Sequence, residues 1–192
     1  MVVDTQRDTV PVFVIAGPSG VGKGTVLHEF ISRAPDCWVS ISATTRPPRP
    51  GEVDGVHYYF VSDERFDEMI AGNELLEWAV VHGKHRYGTP RLPVEEAAAG
   101  GRTVILEVDL AGARQIRHSL PEAQQIFLLP PSWEELEHRL RGRGTESPEQ
   151  IERRLATART EMEAQSEFDM VVRNDSVSRA TDELLHIMGL DR

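Results

Sequence analysis

The sequence predicts an α/β protein in which a central parallel sheet is covered by helices on both faces. Three observations indicate this class. An apolar strand is followed by a glycine-rich turn and a helix within residues 11–34, apolar strand patterns then alternate with amphipathic helix patterns, and 192 residues suit one domain with insertions. In such a sheet, the ligand is expected at the carboxyl ends of the strands.

The bulk composition excludes several classes of function. A net charge of −10 argues against a general nucleic-acid binder, which needs a basic surface. No apolar run reaches membrane-spanning length, and residues 1–9 form a polar tail without the pattern of a signal peptide. The single cysteine, Cys37, excludes an internal disulfide and a cysteine-based zinc site. We therefore expect a cytoplasmic protein that binds neither nucleic acid nor membrane, and no pattern predicts its oligomeric state.

The first strand leads into a candidate phosphate-binding loop. Residues 12–16 are apolar, and the next seven residues have the spacing G-x-x-x-x-G-K. Glycines let backbone N–H groups turn toward an anion, the helix N-terminus adds partial positive charge, and the lysine places a point charge on the phosphates. The sequence therefore predicts a nucleoside triphosphate site at Gly17, Ser19, Gly20, Val21, Gly22, Lys23, Gly24 and Thr25.

One position departs from the usual loop. Gly24 stands where a serine or threonine hydroxyl normally meets Mg²⁺, and Thr25 follows it. Three arrangements stay open for the metal: it is held by Thr25, by the phosphates of the nucleotide, or through water by Asp109 at the end of a later strand.

The first half of the chain divides into helix and strand patterns around a proline-rich loop. Apolar spacing predicts a helix that stops at Pro35 and a strand over 38–42, whereas residues 43–55 hold too much proline and glycine for regular structure. The patterns that follow are a strand over 57–61, a helix capped by Ser62 or Asp63 that ends at Gly72, a strand over 75–81, a loop over 82–89 and a helix over 93–99.

The second half continues the alternation and adds a pair of arginine-rich helices. Strands are predicted over 103–109, 125–129 and 170–175, and helices over 110–120 and 180–188. Capping boxes that begin at Ser132 and Ser147 open the two helices between them. We therefore divide residues 10–192 into a core (10–41, 90–131 and 163–192), a strand-rich insertion (42–89) and an arginine-rich lid (132–162).

The insertion contains a second candidate anion site. Arg46 and Arg49 lie three residues apart in the proline-rich loop, Tyr58 and Tyr87 supply hydroxyl donors, and further positive charge comes from Arg86 and Arg91. An isolated arginine pair is usually solvated surface, but a proline frame lowers the cost of ordering a phosphate clamp. A triphosphate loop, a second clamp and an arginine-rich hairpin together favour phosphoryl transfer between two bound nucleotides.

At this point the chain resembles a known family. The segment Thr44-Thr45-Arg46-x-x-Arg49-x-x-Glu52-x-x-Gly55-x-x-Tyr58-x-Phe60 is similar to the guanylate kinase signature, and the similarity runs in order from about Val10 to Leu190. The resemblance implies a P-loop kinase fold and the reaction of ATP with GMP to give ADP and GDP, with Mg²⁺, in purine nucleotide metabolism. It also implies a GMP-binding insertion and a lid that close on the substrates, with dGMP as a further candidate acceptor.

The resemblance also assigns roles to individual residues. It places the GMP phosphate on Arg46, Arg49, Tyr58 and Tyr87, and the guanine edge on Ser42, Glu77, Thr89 and one of Glu107 and Asp109. Which of these two acids reads guanine and which faces the metal stays open. The catalytic cations would be Lys23, Arg143 and Arg154, and Asn174 would lie in the loop that touches the adenine of ATP.

Two alternatives belong to other classes. The first is an interaction module of the same fold that has lost catalysis, and the presence of Lys23, Arg143 and Arg154 argues against it. The second is a P-loop kinase for another small phosphate acceptor, which Ser42 and Glu77 oppose.

Overall fold

The computed structural model describes residues 11–81, 83–142 and 147–191. Within these ranges the strands are β1 (Val12–Ala16), β2 (Trp38–Val39), β3 (Ala43–Thr44), β4 (Tyr59–Phe60), β5 (Leu75–Val81), β6 (His85–Pro90), β7 (Val104–Glu107), β8 (Gln124–Leu129) and β9 (Met170–Arg173). The helices are α1 (Lys23–Arg33), α2 (Asp63–Ala71), α3 (Arg91–Ala99), α4 (Leu110–Ser119), α5 (Trp133–Arg141), α6 (Pro148–Glu163) and α7 (Val177–Ile187), with a 3₁₀ turn at Ala164–Glu167.

Five strands form the main sheet in the order β2-β7-β1-β8-β9, and all neighbouring pairs are parallel. This arrangement confirms the predicted fold class. Strand β1 lies at the centre, with Ile15 opposite Glu107 on β7 and Ile126 on β8. Because the strands are parallel, the loop after β1 and the acidic end of β7 meet at the same edge of the sheet.

Helices cover both faces of the main sheet. On one face, Phe13 and Ile15 of β1 pack with Phe30 of α1 and Leu184 of α7. Val14 points the other way, into a core that α3 and α4 complete. Burial on both faces explains why these strands are near-continuous apolar runs. None of the helices in the described ranges is both long enough and apolar enough to cross a membrane.

The insertion folds as a second sheet in the order β4-β3-β6-β5, which contains parallel and antiparallel pairs. The prediction of a loop over 82–89 is wrong, because β6 pairs with both β3 and β5. The reason is that Arg86, Tyr87 and Thr89 carry polar side chains that bond to neighbouring groups. Apolar alternation, the usual signal of a strand, is therefore missing.

The strand predicted over 38–42 is also shorter than expected. Strand β2 ends at Val39, and the chain then leaves the main sheet to form β3 at Ala43 and Thr44 in the second sheet. Regular structure thus begins inside the segment over 43–55 that was expected to be irregular.

Helices α5 and α6 form a hairpin around a small apolar core of Leu136, Leu140, Leu155 and Ala158. Both helices begin at the predicted serine caps. The complete capping box forms at Ser147, whose main-chain N–H donates to the Gln150 side chain. At α5, the Ser132 hydroxyl accepts from the main-chain N–H of Glu135. The Glu135 carboxylate, however, accepts from Arg139 Nε.

Candidate active site

The predicted phosphate loop connects β1 to α1 at the edge of the main sheet. Gly22 is the N-cap of α1 with φ 95°, and a Cβ there would lie 2.9 Å from Asn174 Nδ2. A glycine is therefore required for both conformation and space. Because glycine has no side chain to cap the helix, the first N–H groups of α1 stay available to an anion.

The side chain of Lys23 lies over this loop. Its Nζ donates to the carbonyl oxygen of Gly17 over 2.7 Å, which leaves two ammonium N–H groups for a ligand. Burial lowers the pKa of Lys23, whereas the charges of Glu107, Glu161 and Asp109 act to raise it. The ammonium thus lies near Glu107 at the end of β7, Asp109 at the start of α4 and Glu161 of α6.

Gly24 and Thr25 lie exposed in the first turn of α1. A Cβ on Gly24 would meet no atom within 4 Å, so the structure itself does not require glycine there. In the described part of the chain, no group of three or more acids, histidines or cysteines could hold a metal. Such a sparse donor set fits Mg²⁺, which often keeps water and phosphate as its main ligands and takes only one or two carboxylates.

Asn174 lies beneath the loop and is only 4% exposed. Its Nδ2 donates to the carbonyl oxygen of Val21 over 2.7 Å, and its main-chain N–H donates to Leu129. The Asn174 side chain therefore stabilises the phosphate loop from the side of the protein core. The contact with adenine that the resemblance implies stays a prediction.

The α5–α6 hairpin contacts the loop from the other side. Arg154 Nη2 donates to Ser19 Oγ over 2.9 Å, and Glu161 Oε2 accepts from the main-chain N–H of Ser19 over 3.1 Å. Arg139 Nη1 reaches the Val21 carbonyl at 3.4 Å. Arg143, the other predicted lid arginine, lies outside the described residues.

Sequence reasoning missed Glu161 as a site residue. The signal was present, because Glu161 follows Arg154 by seven residues and so lies on the same face two helical turns later. Its position shows that α6 brings both an arginine and a carboxylate to the phosphate loop.

The structure brings Arg46, Tyr58 and Tyr87 together in the insertion. Arg46 Nε donates to Tyr87 Oη over 3.0 Å, its guanidinium lies 5.3 Å from the centre of the Tyr58 ring, and the two tyrosine rings are 5.9 Å apart. Arg49 lies exposed at the rim. These are the four residues predicted to form the second anion clamp.

Two other arginines that the sequence placed in this positive cluster make their contacts within the protein. Arg86 pairs with Asp63 and Asp67 of α2, and Arg91 donates to main-chain oxygens of Asn73 and Ser119. Arg91 also pairs with Glu95 over 3.7 Å, so both guanidinium charges are paired within the protein, which corrects the expectation that they add to the anion site.

A carboxylate pocket lies between the second sheet and the start of α4. Glu77 of β5 and Thr89 of β6 are directly opposite, and Thr89 Oγ1 donates to Glu77 Oε1 over 2.6 Å. Burial raises the pKa of Glu77, and the nearby charge of Asp109 raises it further. Ser42 lies just before β3 in the same sheet. This pocket presents acceptors to a ligand with several N–H donors.

The two acids after β7 have different neighbours. Glu107 is the last residue of the strand, and its charge acts on Lys23. Asp109 caps α4 by accepting from the N–H of Gly112 over 2.7 Å, and its charge acts on both Lys23 and Glu77. Asp109 thus links the carboxylate pocket to the phosphate loop.

A glycine-lined loop after the central strand of a parallel sheet, with an arginine–tyrosine cluster on an insertion, is the architecture of a P-loop kinase. A family model described as guanylate kinase matches residues 9–189. The chain therefore belongs to the guanylate kinase family, and it is an enzyme.

Individual relatives agree with this membership. The chain is 59% identical to a guanylate kinase of Thermobifida fusca over 176 residues, which cover 92% of this chain and 89% of the relative. It is 56% identical to a guanylate kinase of Streptomyces coelicolor over 194 residues, with 97% and 98% covered.

Solved structures agree with the fold. A guanylate kinase from Anaplasma phagocytophilum has a TM-score of 0.71 at 29% identity, with 94% of this chain and 85% of that chain covered. A shikimate kinase from Bacteroides thetaiotaomicron has a TM-score of 0.51 at 12% identity, which shows a shared fold alone.

Proposed function

We propose that this guanylate kinase transfers the γ-phosphoryl group of ATP to GMP and releases ADP and GDP, and that it also accepts dGMP. The observation that carries the proposal is the pairing of two sites. The loop with Lys23 accepts a triphosphate at the edge of the main sheet, and the insertion combines an arginine–tyrosine clamp with the partly buried Glu77–Thr89 pair. We further infer a role in purine nucleotide metabolism in the cytoplasm.

The carboxylate pocket supports guanine as the acceptor base. Guanine presents N1–H and N2–H₂ donors on its edge, whereas adenine presents a bare N1 and no N2 amine. The Glu77 carboxylate matches the guanine donors and would be left unpaired against AMP. Thr89 orients this carboxylate, and Ser42 and Asp109 contact the rest of the guanine edge. We therefore assign Asp109 to guanine and Glu107 to the phosphate side, next to Lys23.

The transfer itself needs alignment and positive charge. The backbone of residues 17–25 and the Lys23 ammonium hold the triphosphate, while Arg46, Arg49, Tyr58 and Tyr87 hold the acceptor phosphate in line with it. Arg154, already at the loop, and Arg143 stabilise the charge of the migrating phosphoryl group, so that no covalent intermediate is needed.

Mg²⁺ bound together with ATP would neutralise charge on the phosphates of the nucleotide. The residues that would hold it are Thr25 of α1 and, through water, Glu107 on the phosphate side; Asp109, the acid first considered for the metal, is assigned here to guanine.

A coupled assay of ADP release tests the proposal. We expect turnover with GMP and slower turnover with dGMP, and little with AMP or a sugar phosphate. Lys23→Ala should reduce turnover by orders of magnitude while calorimetry still detects GMP binding. GMP binding by the wild-type protein without ADP release would favour the interaction module, and turnover with another acceptor in place of GMP would favour the second alternative.

A further inference from the structure

A carboxylate lies inside the clamp that is proposed to bind an anion. Glu52 Oε2 accepts from Arg46 Nη1 over 2.9 Å, and Oε1 accepts from Arg46 Nη2 over 2.8 Å. Oε2 also accepts from the main-chain N–H of Arg49 over 2.7 Å. One side chain thus holds both arginines of the clamp, although its charge has the same sign as the expected ligand.

Four hydrogen bonds, two of them to Glu52, use most of the donors of Arg46. A guanidinium has five N–H groups. In the described part of the chain, Nε donates to Tyr87, Nη1 to Pro47 and Glu52, and Nη2 to Glu52, which leaves one Nη2 hydrogen for a ligand. The side chains of Arg46 and Glu52 are only 9% and 17% exposed. The position of Arg46 in the clamp is therefore fixed, and one Nη2 hydrogen is left to donate to a ligand.

The same network orients a neighbouring hydroxyl. Tyr87 Oη accepts from Arg46 Nε, so its own O–H is free to donate in another direction. A hydroxyl that accepts from a cation is also a stronger donor, because hydrogen bonds in a chain polarise one another. Fixing Arg46 therefore fixes a second donor of the clamp.

Arg49 is held in a different way. Glu52 binds its main chain, while its exposed guanidinium makes no hydrogen bond or ion pair with any described residue. Five side-chain donors of Arg49 thus stay available, against one of Arg46.

We propose that Glu52 is a positioning residue for the acceptor phosphate, which fixes Arg46 and Tyr87 in the binding geometry and anchors the loop from which Arg49 reaches the ligand. The inference rests on the proposed function, because it takes the acceptor to be a nucleoside monophosphate. The hydrogen bonds of Arg46 lower the pKa of Glu52 to about 2, so the carboxylate stays charged at every pH at which the enzyme would work.

The insertion offers a matched control that separates positioning by Glu52 from a purely structural role. Arg65 and Glu74 form another two-bonded pair, with distances of 3.1 and 2.5 Å, but both side chains are more than 40% exposed and lie outside the clamp. Glu74→Gln removes the same charge from the same type of pair.

The experiment begins with the wild-type protein. Turnover of GMP must first be established, and its absence would overturn the proposed function without bearing on Glu52. With an active enzyme, Glu52→Gln should raise the KM for GMP by about tenfold or more and leave the KM for ATP unchanged. Glu52→Asp, which keeps the charge, should recover part of the loss, and Glu74→Gln should match the wild type.

Guanosine separates positioning from general damage to the fold. It carries the base without the phosphate, so its inhibition constant against GMP should be the same in the wild type and in Glu52→Gln. Equal weakening of guanosine and GMP, or a KM for GMP within about twofold of the wild type in a folded variant, would overturn the inference.

Discussion

The main-chain N–H of Ser19 donates to the carboxylate of Glu161 over 3.1 Å, at the point where α6 meets the phosphate loop. The hydroxyl of the same serine accepts from Arg154, which lies two helical turns earlier on α6. One loop residue is therefore held by two side chains of opposite charge. Any movement of α6 must either carry Ser19 with it or break both bonds.

Glu161 should also set the pH range in which Lys23 is charged. Its negative charge raises the pKa of Lys23, against a larger lowering by burial. Glu161→Gln removes that charge but keeps an oxygen that can accept from Ser19. The pKa of Lys23 should then fall, so the loss of activity at alkaline pH should begin at a lower pH than in the wild type.

The measurement is kcat/KM for ATP as a function of pH. Glu163→Gln is a matched control, because Glu163 is exposed near the end of the same helix. An alkaline limb that is unchanged in Glu161→Gln would show that its charge does not act on Lys23.

Glu77 should make the binding of GMP depend on pH. Burial raises its pKa, so the carboxylate takes up a proton at a higher pH than an ordinary glutamate and then loses an acceptor for the guanine donors. The KM for GMP should rise as the pH falls through this region. In Glu77→Gln this dependence should be absent, and the preference for GMP over AMP should fall by roughly 10²-fold, the size of about 2–3 kcal/mol for an unpaired buried group.

The same pKa shift predicts a gain in stability from Glu77→Gln. A glutamate whose pKa is raised by folding contributes stability at low pH and loses it as the pH rises. Glutamine keeps an acceptor for Thr89 without a buried charge, so the variant should melt at a higher temperature than the wild type at neutral pH. The difference should shrink as the pH is lowered; a lower melting temperature at neutral pH would contradict the assignment.

Gly24 gives a test of how Mg²⁺ is held. The position is helical, exposed and free of neighbours within 4 Å, so Gly24→Ala should raise the free energy of unfolding by about 0.5–1 kcal/mol. Gly24→Ser adds the hydroxyl that phosphate loops usually offer to the metal. Activity titrated with Mg²⁺ should be half-maximal at a lower concentration in the serine variant than in the alanine variant. Identical titrations would show that the metal does not lie beside this position.

The sequence predicted those parts of the site that are local in the chain. The phosphate loop and the segment from Arg46 to Glu52 are continuous, and their glycines, prolines and arginines act within a few residues of one another. Glu161 could not be found in this way, because its partner Ser19 is 142 residues away. Strand β6 was missed for a related reason, since its polar residues bond to partners in the loop after β3, on β5 and on α2.

The two arginines of the clamp should respond differently to replacement by lysine. Arg46 makes four hydrogen bonds from within the fold, whereas the side chain of Arg49 is exposed. A lysine cannot reproduce a planar fork, so Arg46→Lys should lower the melting temperature and raise the KM for GMP. Arg49→Lys should raise the KM for GMP while the melting temperature stays the same.

A double-mutant cycle extends this comparison. Arg46 and Glu52 act as one pair, so Arg46→Lys and Glu52→Gln together should raise the KM for GMP by much less than the product of the single effects. Arg49 keeps its side chain outside that pair, so Arg49→Lys combined with Arg46→Lys should come closer to the product. Equal coupling in both cycles would show that the two arginines share a single role.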